Sequence, residues 1–480
     1  MSETKEIKLV FTMFGATGDL AKRKLFIALY NLYKKGYLKD HFAILGSSRS
    51  ELTNDEFKKL VVDSLKEFAG VEGKEVTEFA EHFAYIPHDV TDKDSYEPMK
   101  ALIEELEEKY ETEGNRIFYM SVAPRFFGMI GQSIKSEGLM SDKGYNRLMI
   151  EKPFGVDLNS AVELQQQLEE GFKEDQIFRI DHYLSKEMVL DIASIRFGNP
   201  FLSSVWNKDY IKNIQVTLSE TLGVEDRANY YETTGALLDM IQNHTMQIVG
   251  WLAMEEPKSF NDKDIRAAKN EAFDSLRIYD KSRVSNYFVR GQYQGYLKEF
   301  EVDPNSKNNT YVAGILQFDT EHLQGIPFYI RSGKMLAAKS TRIDIVFKIG
   351  NFDFGDKLEE SVLSIEIDPT AKITWSINAR DVTDEFKTRM IDLDWQASNE
   401  DKKNSIEPYE RMIHDAMKGD GTNFADWSGV ETSWKFIDNV AASFSEDLTK
   451  LDTYPAGSMG PESSDELLAK NGDFWIFNDK

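Results

Sequence analysis

The sequence predicts two architectures in series: an α/β half built on an open parallel sheet, then a larger α+β half built on a mostly antiparallel sheet. Three observations carry this. Short β-branched or aromatic runs alternate with helical patterns up to about residue 182. Later runs alternate apolar and polar residues with a period of two, as strands with one buried and one wet face do. No Pro/Gly/Ser-rich stretch separates the halves, so they are read as abutting domains, 1–181 and 182–480. A chain of 480 residues accommodates two large domains.

The elements follow in order. Strands are expected at 7–14, 42–45, 83–86, 116–122, 147–150 and 177–180. Helical spacing runs over 20–33 and 94–110, and Ser160 with Glu163 reads as a capping box. In the second half, helices are expected at 235–254 and 262–276. Strands are expected at 211–218, 311–318, 342–349, 362–367 and 373–377, and the tail after Tyr454 reads as loop. There is no internal repeat.

Composition narrows the function. The 57 Lys+Arg against 82 Asp+Glu give a net charge of −25, which repels nucleic acid and anionic membranes at long range. The absence of cysteine excludes disulfides, thiolate nucleophiles and Cys-ligated metals, and suits a reducing cytoplasm. No apolar stretch reaches the ~20 residues that span a bilayer. The seven histidines do not pair at metal-ligand spacing, so no metal is expected.

Gly15-x-Thr17-Gly18-x-x-Ala21 lies between a strand and a helix. Its glycines allow a tight turn and close approach to a pyrophosphate, while free N–H groups at the helix start point toward it. The second strand ends in Ser47-Ser48-Arg49 without an acid. A guanidinium there suits a 2′-phosphate and points to NADP, although the serines leave NAD possible. Chemistry-bearing residues fall at the carboxyl ends of the predicted strands: Gly15, Arg49, Asp89, Lys152 and Asp181-His182. That is the rim where open α/β sheets bind ligands.

Arg179-Ile180-Asp181-His182-Tyr183-Leu184-Ser185-Lys186 is the densest stretch. His182, Tyr183 and Lys186 can donate to phosphate oxygens, and Asp181 can orient and stabilise a histidinium. His244 interrupts an apolar helix and is a core histidine or a base. At α-helical spacing it lies about 140° round from Asp239, so the two would flank a substrate. The stretch Arg331-Ser332-Gly333-Lys334, with Lys339 and Arg342, inverts the local charge. It suits an anionic ligand or an internal salt-bridge network equally.

Together Gly15-Ala16-Thr17-Gly18-Asp19-Leu20-Ala21-Lys22-Arg23-Lys24-Leu25, Glu151-Lys152-Pro153-Phe154-Gly155, Arg179-Ile180-Asp181-His182-Tyr183 with Lys186-Glu187, and Asn243-His244 resemble the glucose-6-phosphate dehydrogenase family, its bacterial members above all. The resemblance runs from about residue 8 to the Gly457-Ser458-Met459-Gly460-Pro461 segment. It implies a Rossmann-like domain joined to a larger β+α domain that dimerises through its sheet. It implies oxidation of β-D-glucose 6-phosphate to 6-phospho-D-glucono-1,5-lactone with NADP or NAD, the first step of the pentose phosphate pathway.

Residue by residue, the resemblance makes His244 the general base and Asp181 its orienting acid. His182, Tyr183 and Lys186 would hold the phosphate. Glu220 and Asp239 would bind sugar hydroxyls, with Lys334 and Lys339 completing the pocket. Gly15, Thr17, Gly18, Asp19, Leu20, Arg49, Asp89 and Val90 would hold the coenzyme, and Lys152 would bridge it to substrate. Ser185 replaces the glycine usual in the Asp-His-Tyr-Leu-Gly-Lys run, at a cost of about 1 kcal/mol if the position needs positive φ. Two other readings are a sugar oxidoreductase of the glucose–fructose oxidoreductase class and a non-catalytic NADP sensor. The first has an Asp-x-x-x-His helix, whereas Asp239 and His244 are one residue further apart. The second has no use for a base.

Overall fold

The computed structural model describes residues 6–352, 357–383 and 387–478. The chain forms two compact units. The first comprises Met1–Ser185, Asn261–Lys263 and Ile406–Glu431; the second comprises Lys186–Phe260, Asp264–Ser405 and Thr432–Lys480.

In the first unit, β1 (Leu9–Phe14), β2 (Phe42–Ser48), β3 (Phe83–Pro87), β4 (Arg116–Met120), β5 (Asn146–Ile150) and β6 (Ile177–Arg179) make one sheet. Its order is 3-2-1-4-5-6 and every pairing is parallel. The chain reverses direction of travel between β1 and β4, and this opens a crevice beyond their carboxyl ends. Leu-Val-Phe-Thr-Met-Phe of β1 is buried at every position, because helices cover both faces and leave no wet side. Leu9, Phe11 and Met13 share a core with Phe26, Leu29, Phe57 and Val61.

The segment 406–431 returns to this unit from far along the chain. Its helix Pro408–Lys418 adds Met412, Ile413 and Ala416 to the same core. Arg147 donates to the Ala416 and Met417 carbonyls at 2.8 and 2.6 Å, satisfying groups left open at that helix end. Arg179 is likewise scaffold: its guanidinium is buried and bonds Glu174 at 2.7 and 2.8 Å.

The second unit holds β7 (Ile211–Ser219), β8 (Phe288–Tyr293), β9 (Tyr311–Leu316), β10 (Phe328–Gly333), β11 (Ser340–Phe347), β12 (Val362–Asp368), β13 (Lys372–Arg380), β14 (Thr388–Gln396) and β15 (Leu451–Tyr454). They form one sheet in the order 14-13-12-11-7-10-9-8-15. It is mostly antiparallel, as expected, but β7–β10 and β8–β15 pair in parallel. The anticipated wet face is also missing from its centre. Every residue of β9 and β10 is buried, Arg331 and Ser332 of β10 included. At the other edge, β13 and β14 are half-exposed or exposed along their length.

Several local expectations are corrected. The helix Leu158–Glu169 is capped by Asp157, whose side chain accepts from the Ser160 N–H, so Ser160 lies inside the helix. The tail contains the helix Glu462–Ala469. The expected helix over 235–254 is interrupted. Gly235 takes φ +56°, where a Cβ would crowd Asn308 and Asn309. From Leu237 to Thr245 the backbone is π-helical before an α-helix resumes at Met246. A second π segment, Ala21–Leu25, follows the glycine turn.

Candidate active site

The crevice at the carboxyl ends of β1–β4 has a volume of about 640 Å³. Gly15, Thr17, Gly18, Arg49, Asp89 and Val90 line it, as the sequence led one to expect. Gly15 has φ +84°, and a Cβ there would collide with the Ser121 carbonyl oxygen. Only glycine permits that approach, and it leaves the backbone open to a pyrophosphate. Thr17 Oγ1 donates to Ser48 Oγ at 3.0 Å, and the Tyr85 hydroxyl donates to the Ser50 carbonyl at 2.6 Å. These bonds tie the turn carrying Arg49 to the glycine turn.

Asp89 accepts from the N–H and hydroxyl of Thr91, at 2.9 and 2.8 Å, which hold its carboxyl below the ordinary range. Asp19 and Leu20 do not line the crevice; Asp19 is ion-paired with Arg23 at 2.6 Å. Residues that sequence reading missed do line it: Arg125 and Phe126 after β4, and His88 after β3. His88 is buried between Phe14 and Tyr96, and burial pushes its pKa down to about 4. Neither Arg49 nor Arg125 makes an ion pair among the described residues, in a chain where acids outnumber bases. The glycine cradle and these two cations fit a dinucleotide carrying an additional phosphate.

Beyond β5 and β6 lies a second polar group of the first unit. Asp181 is buried, and its Oδ1 accepts from the Tyr183 N–H at 3.0 Å, an Asx turn that sets the direction of His182 and Tyr183. These two rings lie 5.0 Å apart and are partly exposed. Ser185 is fully buried and is not among the residues with positive φ, so the anticipated backbone strain is absent. Its departure from the family is felt instead as a buried hydroxyl with no hydrogen-bond partner among the described residues. The Lys152–Pro153 bond is cis. Glu151, which the sequence reading passed over, accepts from the Tyr119 hydroxyl at 2.6 Å.

In the second unit, sheet register explains a pairing. Ser219 of β7 lies opposite Gly333 of β10 in a parallel pair, so the next residues, Glu220 and Lys334, emerge side by side. Lys334 Nζ bonds Glu220 Oε2 at 2.7 Å and lies 5.1 Å over the Tyr231 ring. The Tyr231 phenol is buried without a hydrogen-bond partner among the described residues, and both Asp239 and Glu220 bear on it electrostatically. Tyr230 donates to Asp239 Oδ1 at 3.0 Å. Glu220, Asp239 and Lys334 are therefore gathered around two tyrosines that spacing did not reveal.

His244 is 1% exposed on the π-helical turn. Such a turn bonds residues five apart, as Thr245 Oγ1 to the Met240 carbonyl also illustrates. It brings His244 toward the face of Asp239, rather than the α-helical offset first expected. Lys186 caps the helix Glu187–Phe197 and is partly exposed. Lys339 stands apart: it is largely exposed and paired with Asp368 at 2.8 Å. Arg342 pairs with Asp344, and Arg331 is buried against Thr217 and Trp475. Most of that cationic stretch is thus an internal network, with Lys334 facing the polar group described above.

Two family models match the chain: "Glucose-6-phosphate dehydrogenase, NAD binding domain" over residues 12–191 and "Glucose-6-phosphate dehydrogenase, C-terminal domain" over 193–476. The glucose-6-phosphate 1-dehydrogenase of Leuconostoc mesenteroides is 61% identical, with 98% of this chain and 99% of that one covered. The Bacillus subtilis enzyme of the same name is 43% identical, with 99% of each chain covered. A solved glucose-6-phosphate dehydrogenase in complex with glucose 6-phosphate superimposes with a TM-score of 0.91 at 33% identity, covering 99% of this chain and 100% of that one.

Proposed function

The chain belongs to the glucose-6-phosphate dehydrogenase family, and on that premise we propose how its residues divide the oxidation of β-D-glucose 6-phosphate to 6-phospho-D-glucono-1,5-lactone. The observation that carries the reading is 61% identity to a named member over 98% of the chain. The chain is an NAD(P)-linked oxidoreductase of this family.

His244 takes the proton from the anomeric hydroxyl as the C1–O bond becomes a carbonyl. Asp181 orients the imidazole and stabilises the histidinium. Lys186, His182 and Tyr183 donate to the phosphate oxygens. Asp239 and Glu220 accept from sugar hydroxyls. Tyr230 supports this by holding Asp239, and Lys334 by holding Glu220. Lys339 screens the phosphate at longer range, and Lys152 bridges substrate and coenzyme. Gly15, Thr17, Gly18, Arg49, Asp89 and Val90 hold the coenzyme, with Asp19 and Leu20 shaping the helix start behind the turn. A coenzyme held by these residues would supply the nicotinamide that takes the hydride leaving C1. Arg49 makes NADP the preferred coenzyme. Replacing Lys186 with Gln removes one charge-assisted bond to phosphate and raises the KM for glucose 6-phosphate about 10-fold or more. A KM within twofold of the parent would remove Lys186 from the phosphate site.

A homodimer formed through β13 and β14 completes the reading. Leu393 and Trp395 are 53% and 47% exposed on the edge strand β14. Exposed apolar edge strands invite pairing with a second copy. Sedimentation equilibrium is expected to give a dimer, and Leu393→Glu with Trp395→Glu a monomer. A monomeric parent at micromolar concentration would reject it. No helix among the described residues is long and apolar enough to cross a membrane. We place the enzyme in the cytoplasm, where charged sugar phosphates are retained; activity found outside the cell on fractionation would contradict this.

A further inference from the structure

Asn243 stands immediately before His244 in the π segment Leu237–Thr245, and the proposed division of labour gives it no part. It is buried in a stretch otherwise rich in apolar side chains. A buried amide is costly unless it is hydrogen-bonded, and Asn is a poorer helix former than Ala or Leu. Its bonds therefore say what it is there for.

A π turn shifts the backbone bonds from four residues apart to five, is rare, and gathers at functional sites. Here side chains brace that register. Thr245 Oγ1 donates to the Met240 carbonyl at 3.1 Å, and Ser433 Oγ, on the helix Trp427–Ser445, donates to the Gln242 carbonyl at 2.9 Å. Asn309 sets where the segment begins: its Oδ1 accepts from the Leu237 N–H at 3.0 Å and its carbonyl from the Ala236 N–H at 2.9 Å.

Asn243 does more than brace. Its Nδ2 donates to the Leu238 carbonyl, five residues back, at 3.2 Å. Its Oδ1 accepts from the backbone N–H of His244 at 2.6 Å. One amide thus ties the backbone of His244 to the preceding turn. The two bonds fix which way the amide points, since a flip would set donor against donor at the His244 N–H. The bridge needs a donor and an acceptor on one short stem. An ionised Asp lacks the donor, and Gln is a methylene longer.

We infer that Asn243 is a positioning residue: by bridging the Leu238 carbonyl to the His244 N–H it fixes the backbone from which the imidazole projects, and it acts on the reaction through His244. The inference rests on the reading that His244 is the general base. It gives both residues of the Asn243-His244 pair a part in proton removal.

A double-mutant cycle in the full-length enzyme tests it. Asn243→Ala is expected to lower kcat about 10- to 30-fold, because a small misplacement of a reacting group costs up to about 100-fold. The KM for glucose 6-phosphate is expected to stay within about threefold. In a His244→Asn background the same change is expected to cost less than about twofold, because the residue it acts through is gone. A merely structural role would lower the active fraction alike in both backgrounds.

Equal losses in both backgrounds would therefore overturn the inference, as would parental kcat in Asn243→Ala. A loss carried mainly by KM would make Asn243 a substrate contact and overturn it too. A His244→Asn variant with parental kcat would instead overturn the base reading beneath it. Should Asn243→Ala not fold, Asn243→Leu carries the same cycle. It fills the space, suits a helix and removes both bonds. The same losses are expected of it, and equal losses in both backgrounds would again overturn the inference.

Discussion

Replacing His244 with Asn lowers kcat for glucose 6-phosphate oxidation about 1,000-fold while the substrate still binds. Removal of a positioned general base costs 10²–10⁴ in rate, and Asn cannot take up a proton near neutral pH. The proposed phosphate contacts come from Lys186, His182 and Tyr183, none of which this change touches, so the dissociation constant should move less than about threefold. Asn retains roughly the volume of the imidazole's near half. The π turn is held by bonds such as Thr245 to the Met240 carbonyl, which the substitution leaves in place. Turnover followed by coenzyme absorbance, with binding followed by calorimetry, separates the two quantities. A variant with a tenth of parental kcat would remove His244 from the base role. A variant that no longer binds would make it a binding residue.

Replacing Arg49 with Ala is expected to raise the KM for NADP about 10- to 100-fold and to leave that for NAD within threefold. A hydrogen bond to a charged phosphate is worth about 1.5–3 kcal/mol, and 1.4 kcal/mol is a factor of ten. Arg49 is free to give that bond, since it makes no ion pair among the described residues. Ser47, Ser48 and Ser50 around it carry no charge to repel either coenzyme. Steady-state kinetics with each coenzyme in turn measures the difference. Equal losses for both would assign Arg49 to the adenine or pyrophosphate common to them.

Much of the first unit could be read directly from the chain. Its strands are continuous apolar runs because both sheet faces are covered, and chemistry-bearing residues cluster where each run stops. What escaped reading has identifiable physical causes. Met412 and Ile413 join the core of the first unit because the segment Ile406–Glu431 folds back into it, and local periodicity carries no sign of such a return. The π segment under His244 depends on a hydrogen-bond register that apolar spacing does not encode, so an α-helical wheel misplaced His244 relative to Asp239. Central strand β10 escaped because it has no wet face: its polar residues Arg331 and Ser332 are buried along with the apolar ones. Asp157 was overlooked as a cap because Ser160 and Glu163 satisfied the same pattern three residues on.

Site chemistry was more visible than site geometry. The Asp181-His182-Tyr183 motif is read from residue types alone, whereas the supports Tyr230 and Tyr119 emerge only once separate elements meet within each unit. The net charge of −25 illustrates the same gap. It describes the chain as a whole and would discourage an anionic substrate. Yet Arg49 and Arg125 line one crevice with no ion pair among the described residues, and Lys334 is buried beside Glu220.

The central claim is that a sugar phosphate, rather than a sugar, is oxidised. The direct measurement is the initial rate of NADP reduction with glucose 6-phosphate and with free glucose, each over the same concentration range. Charge-assisted bonds to phosphate from Lys186 and its neighbours, worth about 1.5–3 kcal/mol apiece, predict a kcat/KM for glucose 6-phosphate at least about 1,000-fold above that for glucose. Equal kcat/KM for the two would contradict the phosphate site.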